Sequence, residues 1–191
     1  MVCDVTGHGF YAGLFVAMAK SCLHTQAQFS FDPREVMQAM RRTLDLSIVQ
    51  RLLMSCCYVL FEPRARRLHY ANAGHPYPYL YRAKEGFLYR LEALDPILGA
   101  LDVAAGGYAE RTLPWEPGDV LVMYTDGVTE AQNLQDEFFG DHRLIEASQE
   151  NLGGSVLAIQ DALMAAVNQF SVAGGQCDDE TLVIIKRQQT R

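Results

Sequence analysis

Leu53-Met54-Ser55-Cys56-Cys57-Tyr58-Val59-Leu60-Phe61, Glu62-Pro63-Arg64-Ala65-Arg66 and Arg67-Leu68-His69-Tyr70-Ala71-Asn72-Ala73 form the stretch that decides the fold. Apolar and β-favouring residues fill the first segment, and a proline among charges interrupts it. The third segment resumes in extended style, which predicts a β-hairpin. Downstream, residues 77–81 and 87–91 read as two further short strands around the Lys84-Glu85-Gly86 turn. Residues 108–113 and 120–124 flank Pro114-Trp115-Glu116-Pro117-Gly118-Asp119, which reads as another strand–turn–strand unit.

Helices are expected on both sides of this block of strands. Residues 10–28 are apolar with no turn signal, and they read as a largely buried helix. Asp32-Pro33 opens a second helix, with Asp32 as N-cap and Pro33 in the first turn. Val36, Met40, Leu44 and Ile48 then form one apolar stripe. In residues 155–170, Val156, Ile159, Leu163, Val167 and Phe170 step by three or four, and Gly174-Gly175 ends that helix. Residues 181–186 close the chain as a strand apolar enough to be central. The order of helices, antiparallel strands, helices and a last strand predicts an α+β domain with its sheets covered by helices.

Composition narrows the function. With 191 residues the chain suits one domain, and its formal charge of −7 argues against nucleic-acid binding, which needs a clustered basic surface. No apolar run is long enough for a membrane span and no signal-peptide pattern opens the chain, so a cytoplasmic protein is expected. Cys3, Cys22, Cys56, Cys57 and Cys177 show no CxxC pairing or finger spacing, so they read as reduced thiols, not zinc ligands.

Three acidic positions sit where strands end in loops. Asp4 follows a short apolar stub, Asp126 follows Val120-Leu121-Val122-Met123-Tyr124, and Asp178-Asp179 precedes Thr181-Leu182-Val183-Ile184-Ile185. Carboxylates held by rigid apolar sheet are suited to hard cations such as Mg²⁺ or Mn²⁺. Singly, each also reads as a turn or cap residue. The words around them are more specific. Asp4-Val5-Thr6-Gly7-His8-Gly9, Ala71-Asn72-Ala73-Gly74-His75-Pro76, Gly118-Asp119 with Tyr124-Thr125-Asp126-Gly127-Val128-Thr129-Glu130-Ala131, and Asp178-Asp179-Glu180-Thr181-Leu182 occur in that order. In this they resemble the SpoIIE/RsbU branch of the bacterial type 2C (PPM) serine/threonine protein phosphatases, often the output domains of response regulators. Asp95-Pro96-Ile97-Leu98-Gly99 resembles the same family's Pro-Leu-Gly loop.

The resemblance implies an antiparallel β-sandwich flanked by helices, and a centre of two divalent cations, Mn²⁺ or Mg²⁺. It assigns Asp4 as a bridging ligand, the Val5 backbone carbonyl as a ligand of the second metal, and Asp126 and Asp178 as further ligands. Asp179, Gly7 and Gly127 fall beside these ligands, the glycines through backbone freedom. It also implies hydrolysis of phosphoserine or phosphothreonine on a regulatory protein such as an anti-sigma-factor antagonist. The chemistry is coherent, since paired cations supply positive charge and an acidified water, and no serine or cysteine nucleophile is needed.

Family members carry a Gly-Asp segment upstream of the Asp4 motif, and its aspartate is another ligand. The sequence opens three residues before Asp4. A single phosphatase domain over residues 1–191, truncated at the N-terminus, is therefore expected, with a sensor or receiver domain upstream in the parent protein. The lost ligand raises an alternative: a catalytically impaired pseudophosphatase acting as a protein-binding module. A nucleotide-cyclase or kinase-like site fails for want of a Gly-rich phosphate loop. His8, Asn72 and His75 are expected to shape their loops, and Arg41, Arg42, Arg64, Arg66 and Arg67 to line a solvated face.

Overall fold

The computed structural model describes residues 1–46, 52–92, 95–100, 107–171 and 178–188. In chain order its elements are β1 (Val2–Val5), α1 (Phe10–Gln26), α2 (Pro33–Asp45), β2 (Met54–Glu62), β3 (Arg67–Ala73), β4 (Tyr79–Arg82) and β5 (Phe87–Arg90). They continue with β6 (Arg111–Pro114), β7 (Val120–Tyr124), α3 (Asp126–Thr129), α4 (Gly140–Gln149), α5 (Val156–Ser171) and β8 (Leu182–Lys186). The strands form two four-stranded antiparallel sheets, and the fold class is α+β. Contacts divide the chain into two compact units, Met1–His75 with Glu92–Trp115 and Pro76–Leu91 with Glu116–Arg191.

The first unit holds the sheet β1-β2-β3-β6. The expected hairpin is present, with Phe61 opposite Leu68 and Cys56 opposite Ala73. Asp32 caps α2 by accepting from the Arg34 and Glu35 amides, and Pro33 follows at a position that needs no amide donor. Val36, Met40 and Leu44 are buried as the stripe requires, while Ile48 lies outside the described residues. With Met37 they pack on Met54, Cys56, Tyr58, Ala71 and Ala73 of the hairpin.

α1 departs from expectation. Only Phe15 and Ala19 are buried, and Phe10 and Tyr11 are 79% and 62% exposed. An apolar composition without period does not say how many faces are covered, and within this unit α1 packs mainly on α2.

The second unit holds β5-β4-β7-β8. All five residues of β7 are buried, because the strand has a neighbour on each side and helices α4 and α5 supply Leu144, Ile159, Leu163 and Val167 to its core. β8, read from its sequence as central, is instead an edge strand paired with β7 alone and half-buried along its length. Its apolar character serves the core through Leu182 and Ile184, not a second strand. β6 and β7 do not pair as a strand–turn–strand unit either. β6 pairs with β3 and β7 with β4 and β8, so the Pro-rich connection links the two sheets. Gly174-Gly175 lies outside the described residues, and α4, largely polar, carried no clear signal in the sequence. Among the described residues no helix is long and apolar enough to cross a membrane.

Candidate active site

Asp126 opens the short turn α3 at the end of β7. The preceding Tyr124 is buried, and its hydroxyl donates to Asp141 Oδ1 at 2.9 Å. Burial first, then the Asp141 carboxylate, push the Tyr124 phenol up, so it stays a neutral donor that ties the strand end to α4. Thr125 is 4% exposed and fully engaged. Its Oγ1 donates to the Asp179 carbonyl at 2.9 Å and accepts from the Thr181 amide at 2.9 Å, while its own amide donates to the Thr181 carbonyl at 3.0 Å. One threonine thereby fastens the Asp178-Asp179 segment to the Asp126 turn.

Gly127 completes this close approach. A Cβ there would meet the Asp179 carbonyl oxygen at 2.6 Å and the Asp178 carbonyl carbon at 3.4 Å. The glycine is needed for proximity of two backbones, not for an unusual φ. The carboxylates are oriented locally. Asp126 Oδ1 accepts from the Gly127 amide at 3.0 Å, and Asp178 Oδ1 accepts from the Asp179 amide at 2.7 Å. Asp179 thus takes part through its backbone.

In the other unit Asp4 stands on the edge strand β1, opposite Ser55, with Val5 opposite Met54. Thr6 plays a part comparable to that of Thr125: its amide donates to the Leu53 carbonyl at 2.9 Å, and its Oγ1 accepts from the Leu53 amide at 2.9 Å. Gly7 and Gly9 follow with φ of +86° and +88°, turning the chain into α1, whose N-terminus has no side-chain cap. His8 is exposed between them and does not cap the helix.

His75 is buried and hydrogen-bonded through Nδ1 to Ser55 Oγ at 2.8 Å. Asn72 spans its loop, accepting from the His75 amide at 2.8 Å and donating to the His75 carbonyl at 3.0 Å. Asn72, near the end of β3, and His75 beyond it both shape this loop, as expected. The Asp95–Gly99 segment bridges Ala73 and Met54, and its Asp95 Oδ2 accepts from the Ala109 amide.

Asp119 is the conspicuous member of its motif that serves structure. Wholly buried, it accepts from the Ala83 and Glu116 amides and pairs with Arg82 at 3.3 Å. Arg64, Arg66 and Arg67 are exposed around the hairpin turn, Arg42 is exposed, and Arg41 pairs with Asp45.

The donor set can be weighed against a metal. Among the described residues, no group of three or more His, Cys, Asp and Glu side chains could by itself hold an ion. Mg²⁺-class ions, however, are commonly bound by one or two carboxylates, with water and substrate phosphate filling the remaining positions. Asp126 and Asp178, hard oxygen donors on two stitched loops, fit that mode.

Comparison with known proteins agrees with the motifs. The chain belongs to the family described as Stage II sporulation protein E (SpoIIE), whose pattern matches residues 1–188. It is 26% identical over 190 residues to the phosphoserine phosphatase RsbU of Bacillus subtilis (strain 168), covering 97% of this chain and 54% of RsbU. The chain thus spans about half the length of that relative. Its fold matches the SiaA-PP2C domain of Pseudomonas aeruginosa with a TM-score of 0.83 at 21% identity, over 96% of this chain and 73% of that one. It also matches the catalytic domain of the serine/threonine phosphatase PstP, solved with two manganese ions, with a TM-score of 0.63 at 14% identity, over 95% and 84% of the chains. These structural likenesses establish the type 2C phosphatase fold.

Proposed function

We propose that this protein hydrolyses phosphoserine or phosphothreonine on a regulatory protein in bacterial signalling, with an anti-sigma-factor antagonist as substrate class, in the cytoplasm. By the resemblance, Asp4, the Val5 carbonyl, Asp126 and Asp178 are the residues that would hold divalent cations, two Mn²⁺ or Mg²⁺. When bound, these supply positive charge for a phosphate dianion and lower the pKa of water. The observation that carries the reading is the joining of the Asp126 and Asp178 loops by Thr125 and Gly127. It spends a buried threonine and a tight glycine on bringing two acidic loops together, which a purely structural turn does not require. The Gly127 and Asp179 amides orient the two carboxylates by donating a hydrogen bond to one oxygen of each.

A binding module without turnover is the second reading, favoured by the absence of a three-residue ligand group among the described residues. The two are separated by hydrolysis of a phosphoserine peptide over a Mn²⁺ titration. Metal-stimulated turnover that disappears in Asp126→Asn and Asp178→Asn supports the enzyme. Stoichiometric binding of a phosphorylated partner without phosphate release, at saturating metal, would leave the binding module.

A further inference from the structure

Cys3 and Cys56 lie directly opposite each other across β1 and β2, with their sulfurs 2.9 Å apart. Both are free thiols. Directly opposed residues of an antiparallel pair have Cα atoms about 4.5–5.5 Å apart, inside the roughly 4.4–6.8 Å that a disulfide spans. Closing the bond requires the sulfurs to move from 2.9 Å to about 2.0 Å. Cys3 is only half-buried, so this side of the pair can be reached from solvent. No other described cysteine has such a partner. Cys57 is opposite Val2, and Cys22 accepts from Thr43 on the neighbouring helix.

We propose that Cys3 and Cys56 are a reversible redox pair, closed by a peroxide-class oxidant and reopened by a dithiol, that staples the strand carrying Asp4 to β2. The Cys3 sulfur attacks one peroxide oxygen. An S–O bond forms, the O–O bond breaks, and the other oxygen leaves as water or an alcohol after taking up the thiol proton. The Cys56 sulfur then attacks the Cys3 sulfur. The S–S bond forms, the S–O bond breaks, and the hydroxide leaves with the Cys56 proton as water. Two thiols are oxidised by two electrons and one peroxide is reduced by two. The bond joins residues adjacent to Asp4 and to Ser55, the residue opposite it. Oxidation therefore restrains the backbone that presents the Asp4 carboxylate. The pair is defined without reference to phosphatase activity, and only its effect on turnover rests on the proposed function.

The test is to treat the intact protein with hydrogen peroxide, alkylate remaining thiols under denaturing conditions, and map the peptides by mass spectrometry. The expected product is a Cys3–Cys56 cross-linked peptide, an intact mass lower by two hydrogens, and full reversal by dithiothreitol. Amide exchange in β1 is expected to slow about tenfold in the oxidised form. Cys3→Ser abolishes the cross-link, whereas Cys57→Ala retains it. Cys3 ending as a sulfinic acid with Cys56 still open to alkylation would overturn the proposal. So would a cross-link through Cys22 or Cys57, or unchanged β1 exchange in the cross-linked protein.

Discussion

Thr6 and Thr125 do the same job in two very different settings. Each uses its hydroxyl and its amide to fasten a loop beside an aspartate, Thr6 to Leu53 and Thr125 to Asp179 and Thr181. Thr6 is exposed at the end of an edge strand, whereas Thr125 is buried at the end of a strand flanked on both sides. The same hydrogen bond is worth little where water can replace it and much where its loss strands a buried donor and acceptor. The Thr125 latch at Asp126–Asp178 is therefore the costlier one to break, and the Thr6 latch at Asp4 the cheaper. The open glycine turn at Gly7 and Gly9 lies beside the exposed latch, and the tight Gly127 contact beside the buried one.

The largest effect expected is on chemistry. Asp126→Asn is expected to lower Mn²⁺-dependent hydrolysis of a phosphoserine peptide by about a hundredfold or more, because the proposed metal site loses an anionic ligand. The fold stays intact by circular dichroism, since asparagine preserves size and can still accept from the Gly127 amide. A folded variant with wild-type rate at limiting metal removes Asp126 from the site.

Next in size is a pair of glycine substitutions. Gly127→Ala puts a methyl 2.6 Å from a backbone oxygen and is expected to cost about 1–3 kcal/mol, with a matching drop in activity as the Asp178 loop is pushed away. At Gly9 nothing lies within 4 Å of the added carbon, so Gly9→Ala costs only the backbone strain of φ +88° with ψ −160°, about 1–3 kcal/mol, and leaves the Asp178 loop in place. Urea melts of the two variants measure both. A Gly127→Ala variant as active as wild type would show that this contact does not set the position of the Asp178 loop.

The threonines themselves offer a gentler comparison. Thr125→Val leaves the Asp179 carbonyl and Thr181 amide without their buried partner and should destabilise by about 1–3 kcal/mol, whereas Thr6→Val should cost less than about 0.5 kcal/mol. Thermal denaturation decides, and a Thr6→Val loss as large as that of Thr125→Val would mean that exposure does not set the worth of these latches.

The smallest effect belongs to the far side of the Asp4 sheet. His69 on β3 is held by Glu110 Oε1 at 2.7 Å and by Glu62 Oε2 at 3.1 Å, and Thr112 of β6 also reaches its Nδ1. Burial alone lowers its pKa, but the hydrogen bonds to Glu110 and Glu62 outweigh it and the net shift is upward. A raised folded-state pKa means that the contribution is fully present below the ordinary histidine value near 6.5 and is lost as pH rises through the raised value. The stability gap between wild type and His69→Gln should therefore be widest below about pH 6.5 and narrow as pH rises above it, by less than about 1 kcal/mol for a solvent-screened cluster. A gap that widens with pH contradicts the assignment.

Much of the local structure was legible in the residues. The Glu62-to-Arg66 turn, the Asp32 cap, the Val36-Met40-Leu44 stripe and the helix at Val156–Ser171 all follow from patterns spanning a few positions. The acidic motifs pointed to Asp4, Asp126 and Asp178, because order and wording along a chain survive in sequence. What escaped was everything set by partners distant in sequence. β7 and β8 are both apolar, yet only tertiary pairing makes one flanked and the other an edge, since hydrophobicity reports the burial of side chains and not the count of neighbouring strands. α1 is mostly apolar, yet most of its length is exposed within the chain. Thr125 gave no signal of its role, because its partners lie 54 and 56 residues away. The residues by themselves determined most of the local elements and marked the carboxylates proposed to hold metal. The tertiary structure alone decided which strand supports a carboxylate from the centre of a sheet and which from its edge, because burial and hydrogen-bond satisfaction are settled only when distant segments meet.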